Sequence, residues 1–180
     1  MKKRTVIALF LLATLLISGA VFVCSSCKSP PDFFAYTQKA ATAELSGSLM
    51  GKPFCAKISF TPSDTGFGAK IEYLQHPAVG GLSLTAQLDS KGRATQSVQV
   101  SGRGITHKQS AASLSGLLSP LCSLLEAHEV LAVSYDKSAY TLTVGGGSLT
   151  VNQEGIPQQW HSETVDFWIV WWENEEQTIQ

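Results

Sequence analysis

Phe54-Cys55-Ala56-Lys57-Ile58-Ser59-Phe60 is the stretch that decides the fold. Apolar residues stand at 54, 56, 58 and 60, and Lys57 and Ser59 stand between them. Successive strand side chains point to opposite faces, so a period of two marks a strand with one face buried and one in water. The pattern repeats outward in both directions. Upstream, Leu45, Gly47 and Leu49 alternate with Glu44, Ser46 and Ser48. Downstream, Phe67, Ala69, Ile71 and Tyr73 alternate with Lys70 and Glu72, and Leu82, Leu84, Ala86 and Leu88 with Ser83, Thr85 and Gln87. Gly51-Lys52-Pro53, Pro62-Ser63-Asp64, Pro77 with Gly80-Gly81, and Asp89-Ser90-Lys91-Gly92 punctuate these runs as turns. A weaker strand covers Ala94 to Val100.

The period then changes. Leu114, Leu117, Leu118, Leu121, Leu125 and His128 recur at steps of three and four, the spacing of an amphipathic helix. Ser119-Pro120 lies in the middle. Proline removes a helix hydrogen bond and clashes with the preceding turn, so two short helices are expected, with Ser119 as cap and Pro120 in the first turn of the second. Strands resume at Leu131, Val133 and Tyr135, at Tyr140, Leu142 and Val144, and at Leu149 and Val151. The last strand runs from about 159 to 172, with Val165, Phe167, Ile169 and Trp171 on one face and Trp168, Val170 and Trp172 on the other. That strand is expected to be core, buried on both sides, with a membrane-interface or sugar-stacking role for its tryptophans as the alternative. A short helix from Phe33 to about Thr42, capped by Asp32, precedes the first strand.

Tight turns between consecutive strands imply an antiparallel meander. Roughly nine strands at about 4.8 Å each span about 40 Å. A helix covers only about 10–12 Å, side chains included. The expected fold class is therefore α+β and β-rich: an antiparallel meander curled into a half-barrel, with a short N-terminal helix and a leucine-rich helical plug. The excess of apolar sheet face over helical cover points to a pocket for an apolar ligand. Candidate cavity residues are Phe60, Ile71, Leu82, Leu84, Leu117, Leu121, Phe167 and Trp171.

The N-terminus reads differently. Lys2-Lys3-Arg4 precedes 18 uncharged residues, Val6 through Val23. A basic start before an apolar run is the mark of an export signal, with the basic end left in the cytoplasm. Three fates stay open: lipidation at Cys24 or Cys27, cleavage after Ser18-Gly19-Ala20, or retention as an uncleaved anchor. Val23 is bulky for the position before a lipidated cysteine, and Cys24 stands where a leucine-like residue is expected before Cys27. The organisation is thus 1–23 signal or anchor, 24–32 linker, 33–172 domain and 173–180 acidic tail. The domain is expected outside the cytoplasm, held at the outer leaflet of the cell membrane.

Other chemistry is sparse. The net charge is -1 over 180 residues, with no basic stripe for nucleic acid. Cys24-Ser25-Ser26-Cys27 has C-x-x-C spacing but lies before Pro30-Pro31, not at the start of a helix in a βαβ unit. Cys55 and Cys122 read as buried free thiols, with a disulfide between them as the alternative in an exported protein. His76, His107, His128 and His161 stand far from a nucleophile or metal-ligand partner in sequence. Ser101-Gly102-Arg103-Gly104 is too short for a P-loop and reads as a turn. No catalytic residue, metal or cofactor is expected, and the chain does not read as an enzyme.

The order of elements, a leader, a short helix, a meander, a helical plug and a second meander, resembles the half-barrel lipoprotein carriers. That group includes the outer-membrane lipoprotein carrier LolA and mycobacterial lipoproteins of the LprG and LppX type. Ile71-Glu72-Tyr73-Leu74-Gln75-His76-Pro77 leading to Gly81-Leu82 is similar to their strand–Pro–Gly–Leu step. The resemblance implies a lipid or acyl chain held between sheet and helices. The alternative expectation is an envelope protein–protein interaction module without a ligand cavity.

Overall fold

The computed structural model describes residues 30–102 and 104–174. The expectations for the leader, for Cys24 and Cys27, and for most of the acidic tail lie outside those residues. One antiparallel sheet dominates. Its strands are β1 (Ala41–Leu49), β2 (Lys52–Ser63), β3 (Gly66–Gln75), β4 (Ser83–Leu88), β5 (Val98–Gly102), β6 (Ile105–Gln109), β7 (Val130–Asp136), β8 (Ala139–Val144), β9 (Gly147–Asn152), β10 (Pro157–His161) and β11 (Val165–Asn174). The order across the sheet is β6-β5-β4-β3-β2-β1-β11-β10-β9-β8-β7. β1 sits in the middle between β2 and β11. The chain runs outward to one edge at β6, crosses to the other edge at β7, and returns inward.

The connection from β6 to β7 must cross the sheet. It carries the one α-helix among the described residues, α1 (Ser115–Leu125), entered through a 3-10 turn at Ala111–Leu114. It lies on the side where the apolar strand faces point. Phe54, Ala56, Ile58 and Phe60 of β2, Ile71 and Tyr73 of β3, and Leu84 and Leu88 of β4 form one buried cluster with Leu118, Leu121, Leu124 and Leu125. Two tyrosines pin the helix. Tyr73 donates a 2.6 Å hydrogen bond to the Leu117 carbonyl. Tyr36 donates a 2.7 Å bond to the carbonyl of Leu124, one of the last-turn carbonyls that lack an intrahelical donor.

Several expectations are corrected. The half-barrel is not seen: the sheet is open, and neither closed nor strongly curled. The helix does not break at Pro120, which lies inside it. Interior proline costs about 3 kcal/mol. Burying Leu118, Leu121, Leu124 and Leu125 on one continuous face, at about 1.5–3 kcal/mol for each side chain, outweighs that cost. The N-terminal helix is a single 3-10 turn at Ala35–Gln38, and the chain is already strand at Ala41. Asp32 is not its cap: Phe34 stands at that position with no side-chain cap bond, and Asp32 accepts from the Phe34 N–H at 3.1 Å one step before the turn.

Pro62 belongs to β2, paired with Phe67, and not to the turn. The β1 pairing ends at Phe60, so the missing N–H of Pro62 deprives no β1 partner. The β1–β2 turn is the two-residue Met50-Gly51, with φ 51° and 72°. Positive φ at both positions is the turn whose twist matches a hairpin.

The described residues form eleven strands, not nine. β6 replaces an expected loop, and the last expected strand is two, β10 and β11. The apolar row Leu131, Val133 and Tyr135 of β7 is not buried: these residues are 64%, 49% and 55% exposed.

Candidate functional site

The cavity candidates are dispersed: Phe60 borders a groove of 440 Å³ and Leu82 a separate one of 230 Å³. Phe60, Ile71, Leu84, Leu121 and Phe167 are sealed in the core. Leu82 and Leu117 are half-buried against it. Aromatic packing fills the space between them: Phe60 lies 5.8 Å from Trp172 and 6.3 Å from Phe67, and Phe54 lies 6.4 Å from Phe167, between ring centroids. Cys55 and Cys122 are both free, so the disulfide alternative is overturned.

Trp171 is on the other face. A register shift between Glu44 and Leu45 of β1 pairs them with Trp171 and Ile169 of β11, leaving Val170 as an extra residue. A bulge of this kind reverses the in–out parity beyond it. Leu45 and Ala43 face the core, so their partners Ile169 and Trp172 do too. Trp168, opposite Ser46, and Trp171, opposite Glu44, share the outer side. The expected two faces of this strand are thus corrected after Ile169, and the strand is not buried on both sides.

The outcome is an apolar patch on the solvent side at the middle of the sheet. Trp168 is 54% exposed, Val170 59% and Trp171 37%. Polar residues surround it. Gln159 of β10 is opposite Trp168, and Lys57 of β2 is opposite Glu44. The Lys57 ammonium lies 5.9 Å from the Trp171 ring centroid, a cation–π distance. Trp168 also walls a groove of 320 Å³ with Pro53, Cys55, His76 and Pro77. In that groove the Cys55 thiol donates to Glu44 Oε1 at 3.3 Å. Burial pushes the thiol's pKa up, and the bond to Glu44 and its negative charge push the same way. Cys55 is therefore held toward its neutral thiol form.

A second groove, of 390 Å³, lies on the helix side between α1 and the turn at 89–94. Ala94, Ala111, Ala112, Leu118 and Cys122 line it, with Arg93 and Glu126 also present. Burial, aided by the charge of Glu126, raises the Cys122 pKa to about 11. The turn is ordered by Asp89. It accepts from the backbone N–H groups of Lys91 and Arg93 at 2.9 and 3.0 Å and pairs with the Arg93 guanidinium at 2.9 Å. The backbone bond from Arg93 leads in holding its carboxyl below the ordinary range.

Three of the four histidines make local contacts. His76 Nδ1 accepts from the N–H groups of Ala78 and Val79. His128 bonds the Ser123 carbonyl and stacks on Trp160 at 4.9 Å. His161 lies 3.5 Å from Asp166. Among the described residues no group of His, Cys, Asp and Glu could hold a metal ion, and no helix is long and apolar enough to cross a membrane. Sequence reasoning favoured burial for Trp168 and Val170, which are exposed. Six apolar residues in a row mask the bulge, and only the pairing with β1 exposes it.

Among the described residues the fold is β-rich, one broad antiparallel sheet with a single covering α-helix. No protein-family model matches it, and no curated protein does. Among solved structures it is similar to an uncharacterized conserved protein from Thermus thermophilus, at 12% identity and a TM-score of 0.49, over 82% of this chain and 86% of that one. It is also similar to a DUF1329 family protein from Desulfovibrio piger, at 9% identity and a TM-score of 0.35, over 83% and 75%.

Proposed function

We propose that this chain is a membrane-tethered extracytoplasmic binding module that engages another envelope protein through the outer face of its sheet. The observation that carries this reading is the Trp168–Val170–Trp171 patch. Contiguous exposed apolar residues rimmed by polar ones mark interaction sites. Tryptophan is enriched among the residues that dominate protein–protein binding energy. A flat strand surface beside a groove suits a macromolecular partner better than a small ligand, which prefers enclosure. The tether is either the basic and apolar stretch from Lys2 to Val23, kept uncleaved, or a lipid on Cys24 or Cys27.

The test is a photo-crosslinking amino acid at position 170 of the full chain in intact cells. A discrete protein adduct is expected there. It should be absent with the crosslinker at Gln87, on the distant outer face of β4, and lost on Trp168→Ala. No adduct at 170, or an adduct to lipid alone, overturns the reading. Labelling with a radioactive fatty acid, lost in Cys24→Ala or Cys27→Ala, tests the lipid form of the tether.

A second reading keeps the acyl-chain ligand and moves it. The 390 Å³ groove beside Leu118 and Cys122 falls within the roughly 300–1,000 Å³ of small-molecule sites, and most of its lining is apolar. Mass spectrometry of lipids extracted from the natively purified chain tests it. A lipid lost on Ala111→Trp, which fills the groove, supports it; no co-purifying lipid overturns it.

A further inference from the structure

The 440 Å³ groove lies on the outer face of the sheet, over β2 to β6. Its walls are polar. Lys70, Thr85, Gln99 and Lys108 stand opposite one another in turn across β3, β4, β5 and β6, a row of about 14 Å at about 4.8 Å per strand. Gln87, Gln96 and Ser97 flank that row. The apolar residues that border the groove, Phe60, Ala69 and Ala86, belong to the buried core. No Asp or Glu lines it. Lys70 pairs with Glu72 at 3.3 Å, and both are 45% exposed, so that pair is weak and easily exchanged. Lys108 has no ion-pair partner among the described residues.

Gly68 is the floor. It stands opposite Thr61 and Gln87, and β3 runs unbroken through it with both ladders regular at that point. Glycine inside a strand weakens it, and it marks a bulge, a bend, or the close approach of another backbone or a ligand. A Cβ at Gly68 would meet nothing nearer than Gln87 Oε1 at 3.7 Å, and the nearest backbone atom is the Thr61 carbonyl oxygen at 4.0 Å. Packing within the chain therefore leaves room for a side chain here. Glycine keeps the floor of the groove open instead.

The lining selects the ligand. Glutamine amides and Ser and Thr hydroxyls both donate and accept hydrogen bonds, as the hydroxyl groups of a sugar do. Lysines at both ends with no carboxylate between them favour negative charge. An acyl chain would find no exposed apolar wall. A peptide would find backbone groups already paired within the sheet and no pockets for its side chains.

We propose that this groove binds a uronate-bearing saccharide segment lying across β3 to β6 over Gly68, with its carboxylates at Lys70 and Lys108 and its hydroxyl groups on Gln87, Gln96 and Gln99. None of these residues belongs to the Trp168–Val170–Trp171 patch, so the proposal stands apart from the protein-partner reading.

The test is calorimetric titration of the full chain, in a mild non-ionic detergent, with tetrasaccharides of galacturonate and of mannuronate. Binding of at least one is expected. Its methyl ester, which loses the charge and keeps the hydroxyl groups, should bind at least about tenfold more weakly, and Lys108→Gln should weaken binding about fivefold. Gly68→Ala should weaken it about tenfold while the thermal midpoint holds or rises. Trp168→Ala should bind like the parent. Failure of both uronates to bind overturns the proposal, as does equal binding of the methyl ester or of a hexaglutamate peptide. So does a Gly68→Ala variant that binds like the parent or melts earlier, which would give the glycine a structural role. Loss of binding on Trp168→Ala would put the sugar on the tryptophan patch and overturns the site.

Discussion

Tyr73 of β3 reaches off the sheet and donates a 2.6 Å hydrogen bond to the backbone carbonyl of Leu117, in the helix that crosses above it. Burial raises the phenol's pKa well above its ordinary value, so it stays a donor at physiological pH. A single side chain thus ties the β6–β7 crossing to a central part of the sheet. Tyr73→Phe should cost about 0.5–1.5 kcal/mol, read as a lower denaturant midpoint with unchanged slope. Tyr36→Phe, which frees the Leu124 carbonyl, should cost about the same, and the two should add if the helix is pinned at two independent points.

Trp171 and Trp172 are neighbours with opposite fates, and truncation should separate them. Trp172 packs on Phe60 at 5.8 Å and on Tyr36 at 5.5 Å, so Trp172→Ala should cost about 3 kcal/mol. Trp171→Ala should cost less than about 1 kcal/mol. Thermal melts of the two variants check this. Equal losses would mean that the bulge at Val170 is misplaced.

Gly47 is required by the β1–β11 pairing. A Cβ there would stand 2.0 Å from the Asp166 carbonyl oxygen and 2.6 Å from the Phe167 Cα. Both are backbone atoms, which cannot rotate away. Gly47→Ala should cost about 3 kcal/mol or more, and soluble yield with the thermal midpoint reports it. Gly51→Ala serves as the contrast, since nothing lies within 4 Å of its Cβ; its cost is confined to a strained backbone.

Stability at high pH should carry a signature of Cys122. Its folded pKa is raised to about 11 from 9.0. Below pH 9 the thiol is neutral in both states, and its full contribution is present. Between 9 and 11 the unfolded chain loses the proton and the folded one keeps it, so stability falls as pH rises, by up to roughly 1.4 kcal/mol per unit. Cys122→Ala should flatten that part of the curve relative to the parent. Curves that stay parallel would show that the thiol is not buried as described.

Legibility followed burial. In β2, β3 and β4, pairing and water impose the same period of two, and the alternation of Phe54 to Phe60, Phe67 to Tyr73 and Leu84 to Leu88 matches the buried set. β6 was not legible. Ile105 to Gln109 are all exposed, so only backbone bonds to β5 hold them as a strand, and such bonds leave no mark on side-chain pattern. At β11 the apolar run concealed a parity change made by pairing with β1. The same gap in reach explains the cavity candidates. Residue types show that Phe60, Ile71 and Phe167 are buried, but not whether a ligand or each other buries them.

The chain's own pattern determined that this is a β-rich antiparallel structure with a leucine-rich helix, because alternation and helical spacing are local consequences of side-chain direction. The tertiary structure alone decided that the sheet stays open, that α1 continues through Pro120, and that Trp168 and Trp171 face water beside Val170. Those outcomes depend on which distant strands lie side by side, and β1 meets β11 across more than a hundred intervening residues. Pairing at that separation is set by the summed burial of the whole sheet, which no short window of residues contains.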